Sequence, residues 1–235
     1  MQALESLLPA PLGALLAPHA RLVQVRPGQI IVSHQDRTTD VFVVLEGRLR
    51  VELHSLNGRE INLADLDAGE LFGEFAALDD QPRSASVMAT SACLLACIPG
   101  DRFRSAVLGN PATADWIARR LVHRIRELTE RIYELNALAV RDRLHCELLR
   151  LCLNAGITGN SATIAPAPTH AELAGRIGTH REAVTRELQY LGKQGIIVKQ
   201  GRELMISDVA RLAEIVRAAA GDVDVTQRAG ISPAG

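Results

Sequence analysis

The densest group of ligand-binding side chains lies in the segment 69–85, where Glu74 directly follows Gly73 and the pair Arg83-Ser84 comes soon after. The planar guanidinium of an arginine can bind two phosphate oxygens at once, and a serine adds its hydroxyl and its backbone N–H as donors. A carboxylate can accept a hydrogen bond from a sugar hydroxyl, and a glycine lets a ligand come close to the backbone. The segment therefore predicts a site for a ribose phosphate. The alternative is a surface turn with a chance salt bridge.

A second group of polar side chains follows the pattern of two short helices joined by a tight turn. Thr169 and Glu172 have the spacing of a capping box, which favours a helix start. Gly178 favours the end of that helix, because glycine readily adopts the left-handed conformation of a tight turn. Thr179 or His180 is then expected to cap the second helix.

The second of these helices, over 181–191, is predicted to carry its polar side chains on one face. At about 100° per residue, that face spans an arc of roughly 140°. It comprises Arg181, Glu182, Thr185 and Arg186, with Val184, Leu188 and Leu191 on the other side. An arginine can bind two acceptors on a guanine edge and a glutamate can accept from cytosine, so this face is typical of a helix that reads the major groove of DNA. The alternative is an ordinary αα-hairpin with a solvated charged face.

The segment 198–206 predicts a β-hairpin with Gly201 at its tip, placed as the wing of a helix-turn-helix domain. The candidate DNA-binding residues are Thr169, Thr179, His180, Arg181, Glu182, Thr185 and Arg186.

These sites require elements that hold them, and the longest of these is a helix that is expected to begin at Pro111. Its apolar residues alternate by four and three: Leu121, Ile125, Leu128, Ile132 and Leu135. Such a heptad seam on a long helix usually pairs with its own copy. We therefore expect a parallel homodimer with these residues at the interface. The alternative is a helix packed along the neighbouring β domain.

Between Arg21 and Cys97 the pattern is one of short β-type runs separated by turn residues. The candidate strands are 29–32, 41–45, 49–53, 61–66, 86–88 and 94–98. Asn57-Gly58, between two of these runs, is a strong signal for a two-residue hairpin turn. Many short strands with regular turns favour a barrel or jelly roll. Leucines at helical spacing predict one short helix over 2–17.

The composition of the 235-residue chain limits the function classes. A formal net charge of −1 provides no global basic field, so any DNA-binding charge must be local. The sequence has no apolar run long enough for a membrane span, and an acid stands near its start, where a signal peptide needs basic residues. We expect a cytoplasmic protein without a membrane partner. Cys93, Cys97, Cys146 and Cys152 lack the spacing of a metal site and are expected to be buried, reduced thiols.

Taken together, Phe72-Gly73-Glu74-Phe75, Arg83-Ser84-Ala85 and Arg181-Glu182 with Arg186 resemble motifs of the cyclic AMP receptor protein family, the CRP/FNR transcription regulators. The resemblance covers most of the chain. It implies an α+β fold with an N-terminal β-roll, the jelly-roll cyclic-nucleotide-binding domain, over 1–110. A dimerisation helix over 111–138 and a winged helix-turn-helix domain over 139–220 follow, with 221–235 expected to be a flexible tail.

The resemblance also implies the roles of the site residues and the partners. Glu74 would hold the ribose 2′-hydroxyl of cyclic AMP, and Arg83 and Ser84 would hold the cyclic phosphate. The full set of implied nucleotide-binding positions is Gly73, Glu74, Phe75, Arg83, Ser84, Ala85, Arg124, Leu128 and Thr129. The implied DNA target is a palindrome with TGTGA-like half-sites, RNA polymerase is the implied protein partner, and nucleotide binding would shift the dimer to its DNA-competent state.

The chain departs from the family pattern at Leu128 and Thr129, where the receptor protein has a Thr-Ser pair that contacts the adenine amino group. Because Leu128 has no hydroxyl, the choice between cyclic AMP and cyclic GMP stays open, as does another small effector or none. A metal-dependent enzyme built on the β domain would need several His and carboxylate ligands, whereas that region offers only His34 and His54. We therefore predict no enzymatic activity and no metal.

Overall fold

The computed structural model describes residues 2–54, 60–221 and 225. It confirms the α+β class, and the chain divides into two compact units, Met1–Arg124 and Ile125–Gly235. The first unit begins with helices α1 (Gln2–Leu7) and α2 (Ala10–Leu16). Its strands are β1 (Arg21–Val25), β2 (Ile30–Val32), β3 (Val41–Glu46), β4 (Leu49–His54), β5 (Glu60–Leu66), β6 (Leu71–Phe72), β7 (Ser86–Ala89) and β8 (Cys93–Ile98). The remaining helices are α3 (Glu74–Asp79), α4 (Gly100–Leu108) and the long α5 (Pro111–Ala137), which runs past the boundary between the units.

The strands of the first unit form two four-stranded antiparallel sheets, in the orders β1-β8-β3-β6 and β2-β7-β4-β5. One apolar core lies between the sheets and includes Phe42, Leu49 and Leu95. A second core lies between the first sheet and the helices, where Val41 and Val43 contact side chains of α1, α2, α4 and α5. Strand β3 is buried on both faces because its alternate residues enter different cores, which accounts for its continuous apolar sequence.

The predicted strands are confirmed within a residue or two at their ends, and β4 and β5 pair as the two arms of the expected hairpin. The Asn57-Gly58 turn itself lies outside the described residues. The prediction of one helix over 2–17 is wrong, because the chain breaks into α1 and α2 at Leu8-Pro9. Proline disfavours a helical conformation at the residue before it and has no N–H to donate. Strands β1 and β6 and helices α3 and α4 were not predicted.

The second unit contains α6 (Val140–Ala155), β9 (Ala162–Ile164), α7 (His170–Ile177), α8 (Arg181–Lys193), β10 (Ile197–Gln200), β11 (Glu203–Ile206) and α9 (Val209–Ala220). Its three strands form one antiparallel sheet in the order β10-β11-β9. The predicted wing is confirmed as the β10–β11 hairpin, and Gly201 in its turn has a φ of 59°. Leu148, Leu173, Val184 and other apolar residues of the helices form a single core with the sheet.

The four cysteines are all buried, as predicted, and none forms a disulfide. Burial raises the pKa of the Cys146 thiol to about 12, with the nearby carboxylate of Glu134 adding to the effect. Burial alone raises the pKa of the Cys152 thiol to about 12. Among the described residues, no helix has both the length and the apolar character needed to cross a membrane. The predicted tail over 221–235 lies outside the described residues, apart from Gly221 and Val225.

Candidate functional site

The guanidinium of Arg83 lies at the centre of the predicted nucleotide site and is itself held by protein acceptors. Its Nε donates to the Thr38 hydroxyl at 3.0 Å, its Nη1 to the Gly73 carbonyl at 2.9 Å and its Nη2 to the Asp40 carbonyl at 2.7 Å. The side chain is buried, with 3 % of its surface exposed. These bonds use three of the five N–H donors of an arginine, so they fix the orientation of the fork and leave two donors for another acceptor.

Gly73 is required at its position by two features of the backbone. Its φ of 86° is in the left-handed region, where it precedes α3 as the N-terminal cap. A Cβ added there would lie 2.7 Å from Arg83 Nη1 and 2.8 Å from the Asp40 carbonyl oxygen. The space that the sequence assigned to a close-approaching ligand is therefore occupied by the Arg83 guanidinium. Gly73 serves the site by letting that arginine come close to the backbone.

Glu74, the first residue of α3, lies among positive charges. Burial of its carboxyl raises its pKa, and the guanidiniums of Arg120, Arg124 and Arg83 oppose that shift without cancelling it. Arg120 also donates from Nη2 to the carbonyl of Leu71 at 2.8 Å, which ties α5 to the strand before the site. The sequence prediction included Arg124 but missed Arg120. The signal for it is its position one helical turn before Arg124.

The remaining predicted nucleotide-binding residues differ in exposure. Ser84 and Phe75 are exposed, whereas Ala85 is buried in the turn that leads into β7. Leu128 and Thr129 lie on α5 within the second unit, and Leu128 is 40 % exposed. The Thr129 hydroxyl donates to the Ile125 carbonyl at 2.9 Å, so towards another molecule it offers an acceptor.

The predicted heptad residues of α5 are mostly exposed in the single chain. Ile125 and Ile132 are each 62 % exposed, and Leu128 and Leu135 are 40 % and 48 % exposed. A stripe of large apolar side chains open to solvent is typical of an interaction surface. Leu121 differs, because it is half-buried against the apolar core of the first unit.

The two-helix motif has the local geometry that its sequence predicts. The Thr169 hydroxyl accepts from the Glu172 N–H at 3.2 Å, and the Glu172 carboxylate accepts from the Thr169 N–H at 2.7 Å. Gly178 ends α7 in the left-handed conformation, with φ at 65°. His180 rather than Thr179 occupies the cap of α8, and its side chain makes no capping hydrogen bond. Thr169 thus has a structural task at the start of α7.

The predicted reading face of α8 contains three exposed charged residues, Arg181, Glu182 and Arg186. Thr185 is half-buried. Its Oγ1 lies 2.7 Å from His170 Nδ1 and 3.0 Å from the Arg181 carbonyl oxygen, so its hydroxyl is already engaged within the protein. Burial lowers the pKa of His170, and the charges of Lys199 and Arg181 lower it further. His170 and Lys199 were not among the predicted residues. His170 lies against Thr185 of α8, and Lys199 lies close enough to His170 to lower its pKa.

Within the described ranges, no three His, Cys, Asp or Glu side chains come together as a metal site would require. The expectation that the protein needs no metal stays a prediction.

Comparison with known proteins gives two domain matches. Residues 22–110 match the cyclic nucleotide-binding domain, and residues 142–215 match the Crp-like helix-turn-helix domain. Among curated proteins, the chain is 32% identical over 188 residues to the "Cyclic AMP receptor protein" of Thermus thermophilus, covering 80% of this chain and 84% of that one. It is 24% identical over 205 residues to the "CRP-like cAMP-activated global transcriptional regulator" of Mycobacterium tuberculosis, covering 87% and 92%.

Among solved structures, FixK2 from Bradyrhizobium japonicum aligns with a TM-score of 0.75. That alignment covers 86% of this chain and 99% of the other at 20% sequence identity. At this identity the likeness concerns the fold.

Proposed function

Because this chain belongs to the CRP/FNR family of transcription regulators, we propose that it is a homodimer whose binding to palindromic DNA is raised by cyclic AMP. The observation that carries the proposal is the presence of both family domains in one chain, each with its candidate site. Arg83 and Glu74 belong to the nucleotide-binding domain, and the exposed face of α8 belongs to the helix-turn-helix domain.

The charged residues around Glu74 support binding of an anionic effector, and Glu74 itself supports binding of a sugar hydroxyl. Arg83, Arg120 and Arg124 act on the same carboxyl group of Glu74, so cations outnumber that anion. The protein contacts of Arg83 set its fork before an anion binds, which lowers the ordering cost of binding. In this proposal Arg83 and Ser84 hold the cyclic phosphate and Glu74 accepts from the ribose 2′-hydroxyl.

The exposed residues of α8 support direct reading of base edges. Arg181 and Arg186 present guanidiniums suited to the O6 and N7 acceptors of guanine, and Glu182 presents an acceptor for cytosine N4. Lys199 on β10 can neutralise a flanking phosphate. A half-site of the TGTGA type offers guanines on one strand and their paired cytosines on the other for these contacts.

The exposed stripe of Ile125, Leu128, Ile132 and Leu135 supports dimerisation through α5. A two-fold dimer would present two copies of α8 to successive major grooves about 34 Å apart, which is why the target is expected to be a palindrome. RNA polymerase is the expected protein partner of such a regulator at a promoter.

The test is calorimetric titration of the full chain with cyclic AMP and with cyclic GMP, followed by DNA binding at fixed salt with and without each nucleotide. We expect micromolar binding of cyclic AMP and at least a tenfold rise in affinity for a TGTGA-type palindrome. Arg83→Ala should weaken nucleotide binding by about 2–5 kcal/mol, because it removes the partner of a desolvated phosphate. Nucleotide affinity equal to the parent's in a folded Arg83→Ala variant would refute the site.

The reading of bases by Arg181 is tested separately. Arg181→Ala should lower affinity for the palindrome by about 1–3 kcal/mol and relax the preference for guanine at one position. Lys199→Ala is the matched control, since loss of a phosphate contact should weaken binding to all DNA sequences alike. Uniform loss in Arg181→Ala as well would assign that arginine to the backbone of the DNA.

A second candidate keeps the DNA-binding function and changes the effector. It is favoured by Leu128, whose apolar side chain is 40 % exposed where the family's hydroxyl would contact adenine. Tighter binding of cyclic GMP in the same titration would support this candidate. DNA affinity unaffected by either nucleotide would point to another effector or to none.

A further inference from the structure

A network of buried charges joins three helices in the second unit. Glu147 on α6 is 2 % exposed, and Glu134 on α5 is 3 % exposed. The Glu147 carboxylate accepts from Arg131 Nη2 of α5 at 2.9 Å, from Arg150 Nη1 of its own helix at 2.7 Å and from Arg176 Nη1 of α7 at 2.9 Å. Glu134 accepts in turn from Arg150. One carboxylate therefore connects the long helix to the first helix of the helix-turn-helix motif.

The charge of Glu147 depends on these partners. Burial alone would raise its pKa, but the guanidiniums of Arg131, Arg150 and Arg176 outweigh burial and lower the pKa to about 2. The carboxylate is therefore ionised at neutral pH. If it lost an arginine partner, part of the free-energy cost of burying its charge would no longer be compensated. A displacement of α5 relative to α7 would break such a contact. The two helices are consequently held in one arrangement.

The apolar core of the unit already packs α6, α7 and α8 together, so the network is not needed to bury their faces. Replacement of a buried ion cluster by apolar residues is often neutral or stabilising, which makes stability a weak reason for its presence. Directional bonds from several helices to one carboxylate do fix the positions of those helices relative to one another.

We propose that Glu147 is a positioning residue that makes the C-terminal half of α5 and helix α7 move as one body, so that a change in α5 reaches the DNA-reading helix. The regulatory part of this inference rests on the effector-gated DNA binding proposed above. The mechanical part, the linkage between α5 and α7, stands apart from the identity of the effector.

The test uses the full chain with Glu147→Gln, which keeps shape and removes charge, and with Arg176→Gln, which removes the ion pair between α7 and Glu147. Arg176→Lys, which retains the charge, should partly restore the linkage. Glu187→Gln is the matched control: it removes the negative charge from the 2.8 Å contact between Glu187 and His145 of α6 and leaves α5 untouched. If Glu147→Gln fails to fold, Arg176→Gln alone carries the test.

Two readouts separate linkage from mere stability. In hydrogen exchange by mass spectrometry, peptides of α5 and α7 should open together in the parent and in Glu187→Gln. In Arg176→Gln, α7 should exchange at least tenfold faster than α5. The second readout is the ratio of DNA affinities with and without saturating cyclic AMP. That ratio should fall at least tenfold in Glu147→Gln and Arg176→Gln, whereas a smaller folded fraction would lower both affinities alike.

Each outcome bears on a different statement. Joint opening of α5 and α7 in Arg176→Gln would overturn the linkage. Separate opening with an unchanged affinity ratio would overturn the role of the linkage in regulation. A parent protein whose DNA affinity does not respond to nucleotide would refute the proposed function, and the exchange data would still decide whether Glu147 links the helices.

Discussion

At the residue scale, the nucleotide site depends on an arginine that is oriented before it meets a ligand. The three bonds of Arg83 reach residues that are remote in sequence, Thr38 and Asp40, as well as Gly73. The sequence motif contains the arginine and the glycine, and it does not reveal that the glycine makes room for the arginine. That relation follows from the approach of two distant loops, which no local pattern encodes.

Gly73→Ala tests this relation. The alanine would require a left-handed φ and would place its Cβ 2.7 Å from Arg83 Nη1. We expect a loss of about 1–3 kcal/mol in the free energy of unfolding, from backbone strain together with displacement of the guanidinium. Nucleotide affinity should fall as well. Gly28→Ala is the control, because φ there is 80° but no atom lies within 4 Å of the added Cβ. Equal effects of both variants would show that strain alone is responsible.

Glu74→Gln should separate binding from stability. Because burial raises the pKa of Glu74 in the folded chain, the ionised form costs folding free energy, and this cost appears as pH rises through the raised pKa. The amide removes that cost, so at pH 7 the melting temperature should hold or rise. Nucleotide affinity should fall, since the ribose hydroxyl loses its charged acceptor. Differential scanning calorimetry and titration calorimetry measure the two effects. Lower stability with intact binding would contradict the assignment.

At the element scale, long periodic segments were easier to predict than short ones. The helix that begins at Pro111 and the strand-rich region were confirmed because each repeats its pattern over many residues. Helix α3 is only Glu74–Asp79 and offers too few residues to establish a helical period. Helix α9 was missed even though Asp208 accepts from the Arg211 N–H at its start.

Helix α5 yields a prediction about assembly. Ile132→Glu should weaken the dimer strongly, because it places like charges opposite each other in a symmetric apolar seam. Ile132 is 62 % exposed in the single chain, so folding of each subunit should be little affected. Sedimentation velocity measures the dimer, and circular dichroism checks the fold. Arg126→Glu, at an exposed position outside the heptad, is the control. A dimer of unchanged affinity in Ile132→Glu would move the interface elsewhere.

At the scale of the whole molecule, the sequence predicted which domains follow one another and missed what links the elements inside them. In the sequence, arginines and glutamates surround the heptad seam of α5, and nothing in their spacing predicts burial. In the structure, Arg131 and Glu134 instead point to a buried cluster with Glu147, Arg150 and Arg176. Burial of charge could not be foreseen, because it depends on three helices that meet only in the tertiary fold.

The same cluster predicts how the chain responds to acid. The pKa of Glu147 is about 2 in the folded chain, compared with an ordinary value of 4.5. A depressed pKa contributes stability that is fully present above about 4.5 and is lost as pH falls towards 2. The contribution at neutral pH is on the order of 3 kcal/mol. Urea unfolding of the second unit, followed by hydrogen exchange, should show this loss of stability as the pH falls. In Glu147→Gln the free energy of unfolding should depend less on pH over the same range. An unchanged pH slope in that variant would contradict the role of Glu147.

Cys146 and Cys152, whose thiol pKa values burial raises to about 12, have a practical consequence. At pH 7 only about one thiol in 10⁵ is ionised, and the thiolate is the nucleophile that reacts with alkylating reagents. Iodoacetamide should therefore modify these side chains only when their surroundings open. The alkylation rate of these two cysteines therefore measures local opening of the second unit in native buffer, without denaturant. The same measurement with DNA or an effector present shows directly how either one slows that opening.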